Sequence, residues 1–200
     1  MAQPAYKVIS HDEYLAREAQ AEYKSEYFAG RILAMAGASV DHNRIVGNVY
    51  ARMLPELEKQ HCTPFMLDLR LFIEEKDVFT YPDAMIICGK PEFYAERNDT
   101  VTNPVVIFEV LSESTRNYDR GEKFEFYRAI PSLREYVLID QDRVHVERFL
   151  KTEAGDWLLS EWNDPDATLK LASLDFGLRI ADVYRGVELP PPDQVPVTRA

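Results

Sequence analysis

Two spacings of apolar residues run through this chain, and each predicts its own kind of element. Ile45, Val49, Met53 and Leu57 recur at helical intervals behind Ser39, a residue suited to cap a helix, so a helix is predicted from there to about Lys59. Pro55 inside that run is expected to kink or shorten it. Ser10-His11-Asp12-Glu13 reads as a capping box opening an earlier helix that reaches about Glu22. From Phe65 to Ile73 every odd position is apolar, while Asp68 and Arg70 fall on the other face, which is strand alternation. Ala84 to Cys88 and Pro104 to Leu111 are nearly all apolar, as strands covered on both faces are. Ser25 to Phe28 and Arg31 to Ala36 flank Ala29-Gly30 as a hairpin. Asn117 to Ile130 is helical and stops at Pro131. Glu135 to Asp140, Val144 to Leu150 and Trp157 to Trp162 then form a meander, before a last helical turn over Ala181 to Tyr184. Helices on a mixed sheet, extended by antiparallel strands at the C-terminal end, make the expected class α/β or α+β.

Length and composition fit one folded domain: 200 residues, of which 46% are hydrophobic and 28% charged. Residues 1–9 read as a short arm, 10–188 as the domain, and 189–200, with four prolines, as a tail. The 23 basic residues face 34 acidic ones, a net charge of −11 shared by both halves of the chain. Bulk attraction to nucleic acid or anionic lipid is thereby excluded, although a local basic face is not. Cys62 and Cys88 have no zinc-type spacing, which excludes a cysteine-built metal site and suggests a reducing compartment. With no leader pattern and no long apolar run, a cytoplasmic protein without membrane contact is expected.

Three residues break the pattern. Glu109 shares a strand face with Val105, Ile107 and Leu111, where a carboxylate costs several kcal/mol unless something compensates it. A strand-end glutamate reaching solvent is the plain alternative. Asp83 follows Pro82 at the entry of the Ala84 strand, a position where an aspartate ordinarily serves as a turn or cap residue. Lys123 falls on one helix arc with Phe126, Tyr127 and Ile130, so it points inward unless it snorkels to a rim. An inward lysine and two inward carboxylates would satisfy one another. Together they form a kit for phosphodiester cleavage: acids to hold a hard divalent cation, and a lysine to neutralise charge or position the nucleophile.

Pro82-Asp83 followed by Glu109-Val110-Leu111 resembles the PD-(D/E)XK nuclease signature, with Leu111 where the signature lysine stands. Lys123 on the next helix fits a migrated lysine. Further blocks carry a closer resemblance: Glu26-Tyr27-Phe28-Ala29-Gly30-Arg31-Ile32, Met35-Ala36-Gly37, His42, Asp68-Leu69-Arg70, Tyr118-Asp119-Arg120-Gly121-Glu122-Lys123, Glu135-Tyr136 and Asp182-Val183-Tyr184. In order and spacing they are similar to a family of "putative restriction endonucleases", a domain of unknown function abundant in cyanobacteria. The resemblance covers residues 10–188. It implies a restriction-endonuclease-like fold and adds Glu26 as an accessory acid, from the first helix or its exit. Locally, Glu26 also reads as a solvated hairpin residue.

The expected function is a nuclease acting on nucleic acid, DNA in the first place, with Mg²⁺ or Mn²⁺ held by Asp83, Glu109 and the Val110 carbonyl. Lys123 completes the catalytic set. Arg116, Arg120, Lys123 and Arg128 form the one local basic flank. Arg70 is assigned to neutralising site carboxylates or to a local pair, and His42 to structure. Open hairpin and meander edges, the latter ending in Trp157 and Trp162, predict a twofold homodimer. The competing class is a nuclease fold kept as a binding or dimerisation module, favoured by Leu111 and the acidity. A hydrolase of small phosphate esters is a third reading. Metal binding at Asp83 and Glu109 separates the module from the enzymes.

Overall fold

The computed structural model describes residues 7–35 and 37–191. Residues 1–6, Ala36 and the tail from 192 lie outside the described residues, and with them most of the expected arm and tail.

Helix α1 (His11–Glu18) begins where the capping box was read, with the Ser10 hydroxyl accepting from the Glu13 N–H at 3.2 Å. Only that half of the box forms, because the Glu13 carboxylate turns to Lys7 and Arg17 instead. Strands β1 (Ser25–Phe28) and β2 (Arg31–Ala34) pair around Ala29-Gly30. Gly30 has φ +91°, and a Cβ there would sit 2.5 Å from Val8 Cγ1, so this corner admits only glycine. Helix α2 (Val40–Leu57) is capped by Ser39 and runs through Pro55.

Nine strands follow before the C-terminal hairpin: β3 (Cys62–Met66), β4 (Arg70–Ile73), β5 (Val78–Thr80), β6 (Ala84–Cys88), β7 (Thr100–Val101), β8 (Val106–Leu111), β9 (Glu135–Asp140), β10 (Val146–Lys151) and β11 (Trp157–Trp162). Between β8 and β9 lies one irregular helix: α3 (Arg116–Tyr118), a π-helical turn over Asp119–Lys123, and α4 (Phe124–Tyr127). The chain closes with the hairpin β12 (Thr168–Lys170) and β13 (Gly177–Arg179) and the short α5 (Ile180–Val183).

The strands form a six-stranded sheet, β11-β10-β9-β8-β6-β3, and a five-stranded one, β2-β1-β5-β4-β7. Within the larger sheet β8 and β9 are parallel and their neighbours antiparallel, as expected of a mixed sheet with an antiparallel extension. One face of β8, with Val106, Phe108 and Val110, packs on α2, the C-terminal hairpin and α5. The other face, with Ile107 and Leu111, meets the irregular helix and Leu71, Ile73 and Val78 of the smaller sheet.

The expected single strand over 65–73 is two strands in two sheets. The chain turns at Leu67, whose φ is +60°, and its N–H donates to the Asp83 carbonyl. Phe65, Leu67 and Leu69 are each half-buried against the core, so apolar alternation runs through the break. Cys62 and Cys88 are direct cross-strand partners joined in a disulfide, which corrects the reading of two thiols. Among the described residues no helix is long and apolar enough to cross a membrane.

Candidate active site

Parity along β8 dictates where Glu109 goes. With Ile107 and Leu111 in the core beneath the helix, Glu109 must project the same way, and it is 2% exposed. The Tyr127 hydroxyl donates to its Oε1 at 2.6 Å, and the Lys123 ammonium lies 2.8 Å from the same oxygen. The Asp83 N–H donates to Oε2 at 3.3 Å. Asp83 stands at the entry of β6, beside the end of the β6–β8 ladder. Its Oδ2 accepts the Val110 N–H at 2.7 Å, and its Oδ1 faces His42 Nε2 at 2.9 Å. Asp83 is therefore the edge partner of β8 as well as a carboxylate of the cluster.

Lys123 points inward, 5% exposed, along with Tyr127 and Ile130. Phe126 is only half-buried, and Phe124 takes the core place instead. A π-helical turn over Asp119–Lys123 leads into this segment. The same turn brings Asp119 to 3.6 Å from the Lys123 ammonium. Glu26, on β1 rather than the first helix, lies 3.8 Å away; it accepts hydrogen bonds from Thr80 and, at 3.0 Å, from Tyr118. The structure thus brings Asp83, Glu109, Lys123, Glu26 and Val110 together.

Sequence reasoning missed three members. From sequence, His42 is assigned to structure and Tyr127 to an apolar arc, and Asp119 is given no role of its own. The spacing of Asp119 and Lys123, i and i+4, is the one signal that could have found Asp119. Arg70 takes the local of its two expected roles: it donates to the Tyr81 and Thr100 hydroxyls, outside the cluster.

Three carboxylates, Glu26, Glu109 and Asp119, crowd one ammonium, and a fourth, Asp83, lies beside Glu109 and faces His42. Burial pushes the Glu109 carboxyl well above the usual carboxylate range; Asp83 and Asp119 push it further, against the pull of Lys123. Burial likewise raises Asp119. Burial would lower Lys123, but Glu109, Glu26 and Asp119 more than reverse this, so the amine stays charged. Burial would raise Asp83 too, yet the hydrogen bond and charge of His42 hold it below the usual range. Buried oxygens in negative excess, with proton uptake favoured at Glu109, are the donor set a hard divalent cation takes.

The expected basic flank is not a free surface. Arg116 is buried in a bidentate pair with Asp140, and Arg120 grips Glu147 at 2.7 Å. Of the four residues only Arg128 remains outside an ion pair among the described residues, with its guanidinium over the Phe124 ring. Helical spacing aligns these cations, but β9 and β10 pass beneath that flank and supply the counter-charges of Arg116 and Arg120.

The family model Uma2, described as "Putative restriction endonuclease", matches residues 11–183. Uncharacterized protein sll1609 of Synechocystis sp. (strain ATCC 27184 / PCC 6803 / Kazusa) is 42% identical over 167 residues, covering 83% of this chain and 94% of that one. Uncharacterized protein slr1290 of the same organism is 32% identical over 179 residues, covering 90% and 93%. Among solved structures, a "putative nuclease belonging to DUF820" from Anabaena variabilis ATCC 29413 superposes with a TM-score of 0.72 at 20% identity. It covers 88% of this chain and 98% of its own. The chain shares that fold, which is the restriction-endonuclease-like one expected.

Proposed function

The chain belongs to the "Putative restriction endonuclease" family, and from that premise we propose that it is a divalent-metal-dependent nuclease whose lysine comes from the helix after β8. The observation that carries this reading is the 2.8 Å contact between Lys123 and Glu109, combined with a fully buried Leu111. The signature position itself is committed to the core, and the helix supplies an ammonium to the same carboxylate.

Asp83 and Glu109 are the side-chain ligands we assign to Mg²⁺ or Mn²⁺. The Val110 N–H donates to Asp83, and a strand residue's carbonyl leaves on the same edge as its N–H, which supports the Val110 carbonyl as a third. A bound cation would activate a water and neutralise phosphate charge. In hydrolysis the water oxygen forms a new bond to phosphorus, the bond to a sugar oxygen breaks, and that oxygen gains a proton. Lys123, charged at neutral pH, acts by donating hydrogen bonds to the phosphate or the water, not as a base. Asp119 and Glu26 hold the amine in place, and Tyr118 and Thr80 hold Glu26.

DNA is the first substrate to test, and a twofold homodimer is the assembly we assign. Strand β11 is an open sheet edge, with Leu158 and Leu159 exposed on it. Light scattering at micromolar concentration is expected to give twice the chain mass; a monomer mass removes the dimer.

Incubation of plasmid, single-stranded DNA and RNA with Mg²⁺ and Mn²⁺ tests the activity. Cleavage is expected in the wild type and lost in Lys123→Met and Asp83→Asn. The internally paired Arg116 and Arg120 favour the second reading, a module that binds without turnover. Absence of cleavage on every substrate would leave that reading in its place.

A further inference from the structure

A second titratable cluster lies on the helix-covered face of the larger sheet, outside the carboxylate site. Glu147 on β10 and Glu161 on β11 are direct cross-strand partners, an arrangement that disfavours pairing when both are charged. His145, just before β10 and almost buried, sets its ring between them: Nε2 is 2.7 Å from Glu147 Oε1 and 3.6 Å from Glu161 Oε1. Its other nitrogen, Nδ1, faces Asn163 Oδ1 at 2.5 Å. Arg120 also grips Glu147, through both carboxylate oxygens.

Both ring nitrogens face oxygen acceptors, so without metal each carries a proton, Nδ1–H toward Asn163 and Nε2–H toward Glu147. That Nε2 proton serves Glu147 alone, because 3.6 Å is beyond a hydrogen bond to Glu161. A cation would displace it, while Nδ1–H donating to Asn163 keeps the ring oriented as in metal-ligating histidines. Glu161 makes no hydrogen bond among the described residues and yet turns toward the ring. A cation bound at about 2.0–2.1 Å in a tetrahedral site spaces its ligand atoms roughly 3.4 Å apart, which suits the Glu161 distance. It asks Glu147 to retreat by well under an ångström.

We propose that His145, Glu147 and Glu161 form a second cation site, for a transition metal of the Zn²⁺ class rather than Mg²⁺, with Asn163 as the residue that positions the imidazole. One nitrogen and two carboxylates are a borderline donor set that favours Zn²⁺ over the all-oxygen preference of Mg²⁺. Glu161 is half-exposed, which leaves an entry path and an open position for water. Arg120 offsets part of the negative charge and joins the cluster to the helix that carries Lys123. The proposal does not depend on the nuclease reading.

The test is equilibrium dialysis of the full chain against Zn²⁺ in excess Mg²⁺, which occupies the oxygen-only site. One equivalent of Zn²⁺ is expected per chain. It should be lost in His145→Ala, and weakened about 10- to 100-fold in Asn163→Ala. The half-exposed Glu161→Gln, which disturbs no packing, is expected to weaken binding at least tenfold while the melting temperature without metal stays unchanged. No bound Zn²⁺, or Zn²⁺ retained equally by His145→Ala and Glu161→Gln, overturns the proposal; should His145→Ala fail to fold, Glu161→Gln alone decides.

Discussion

Two clusters of buried charge sit on the larger sheet, and they are built to opposite rules. Around Asp140, at the end of β9, Arg116 and Arg143 face Asp140 and Asp142, two cations against two anions. The Asp142 N–H donates to Asp140 as well. At the end of the adjoining strand β8, three carboxylates share one ammonium beside Asp83 and His42, and Glu109 is driven toward its protonated form by burial and by its neighbours. The first cluster is complete as it stands and ties the helix start to the sheet. The second is charged beyond what its own residues neutralise. That contrast separates a structural ion pair from the site we propose for a cation.

Removing a partner from the balanced cluster should have the largest effect. Arg116→Met leaves the fully buried Asp140 with only the half-exposed Arg143 and the Asp142 N–H, and loss of one partner of a buried pair costs about 3–5 kcal/mol. Urea unfolding should record that loss, and a midpoint within error of the wild type would erase the distinction. Next is Lys123→Met, which removes a cation beside the reacting phosphate and should cost about two or more powers of ten in cleavage rate. Met fills the volume, so sequence reasoning expects an unchanged fold. The three acids around the amine predict instead a protein that melts lower, and more so at neutral than at acid pH. Melting curves at both pH values would show this.

Glu109→Gln should do the reverse without metal. The folded carboxyl is raised above its unfolded value, so its charge opposes folding as pH climbs past the ordinary carboxylate range. The variant should therefore gain on the wild type between pH 4 and 8, by a few degrees in melting temperature, with the difference fading in acid. A difference that shrinks as pH rises would contradict the excess-charge account. Arg143→Ala should be smallest, about 1 kcal/mol or less, because that side chain is half-exposed and Arg116 remains on Asp140.

Much of this was legible because strand parity is strict: once Ile107 and Leu111 are core, Glu109 has one place to go. The Lys123 arc survived for a weaker reason. Its own turn is π-helical, and only residues beyond it, Phe124 and Phe126, exchanged roles. No residue pattern announces a π-turn, so the inward place of Asp119 has no signal beyond its i, i+4 spacing from Lys123. The break at Leu67 hid because Phe65, Leu67 and Leu69 are all half-buried across it, and β5 and β7 are too short for periodicity to register. His42 reaches Asp83 across 41 residues. A contact of that range has no local trace.

We propose that the acid-rich cluster holds a divalent cation, and calorimetric titration of Mn²⁺ into the wild type, Glu109→Gln and Arg143→Ala would show it. One binding event at this cluster is expected in the wild type and in Arg143→Ala, and none in Glu109→Gln. Equal Mn²⁺ affinity in all three proteins, or no binding to the wild type, would contradict it.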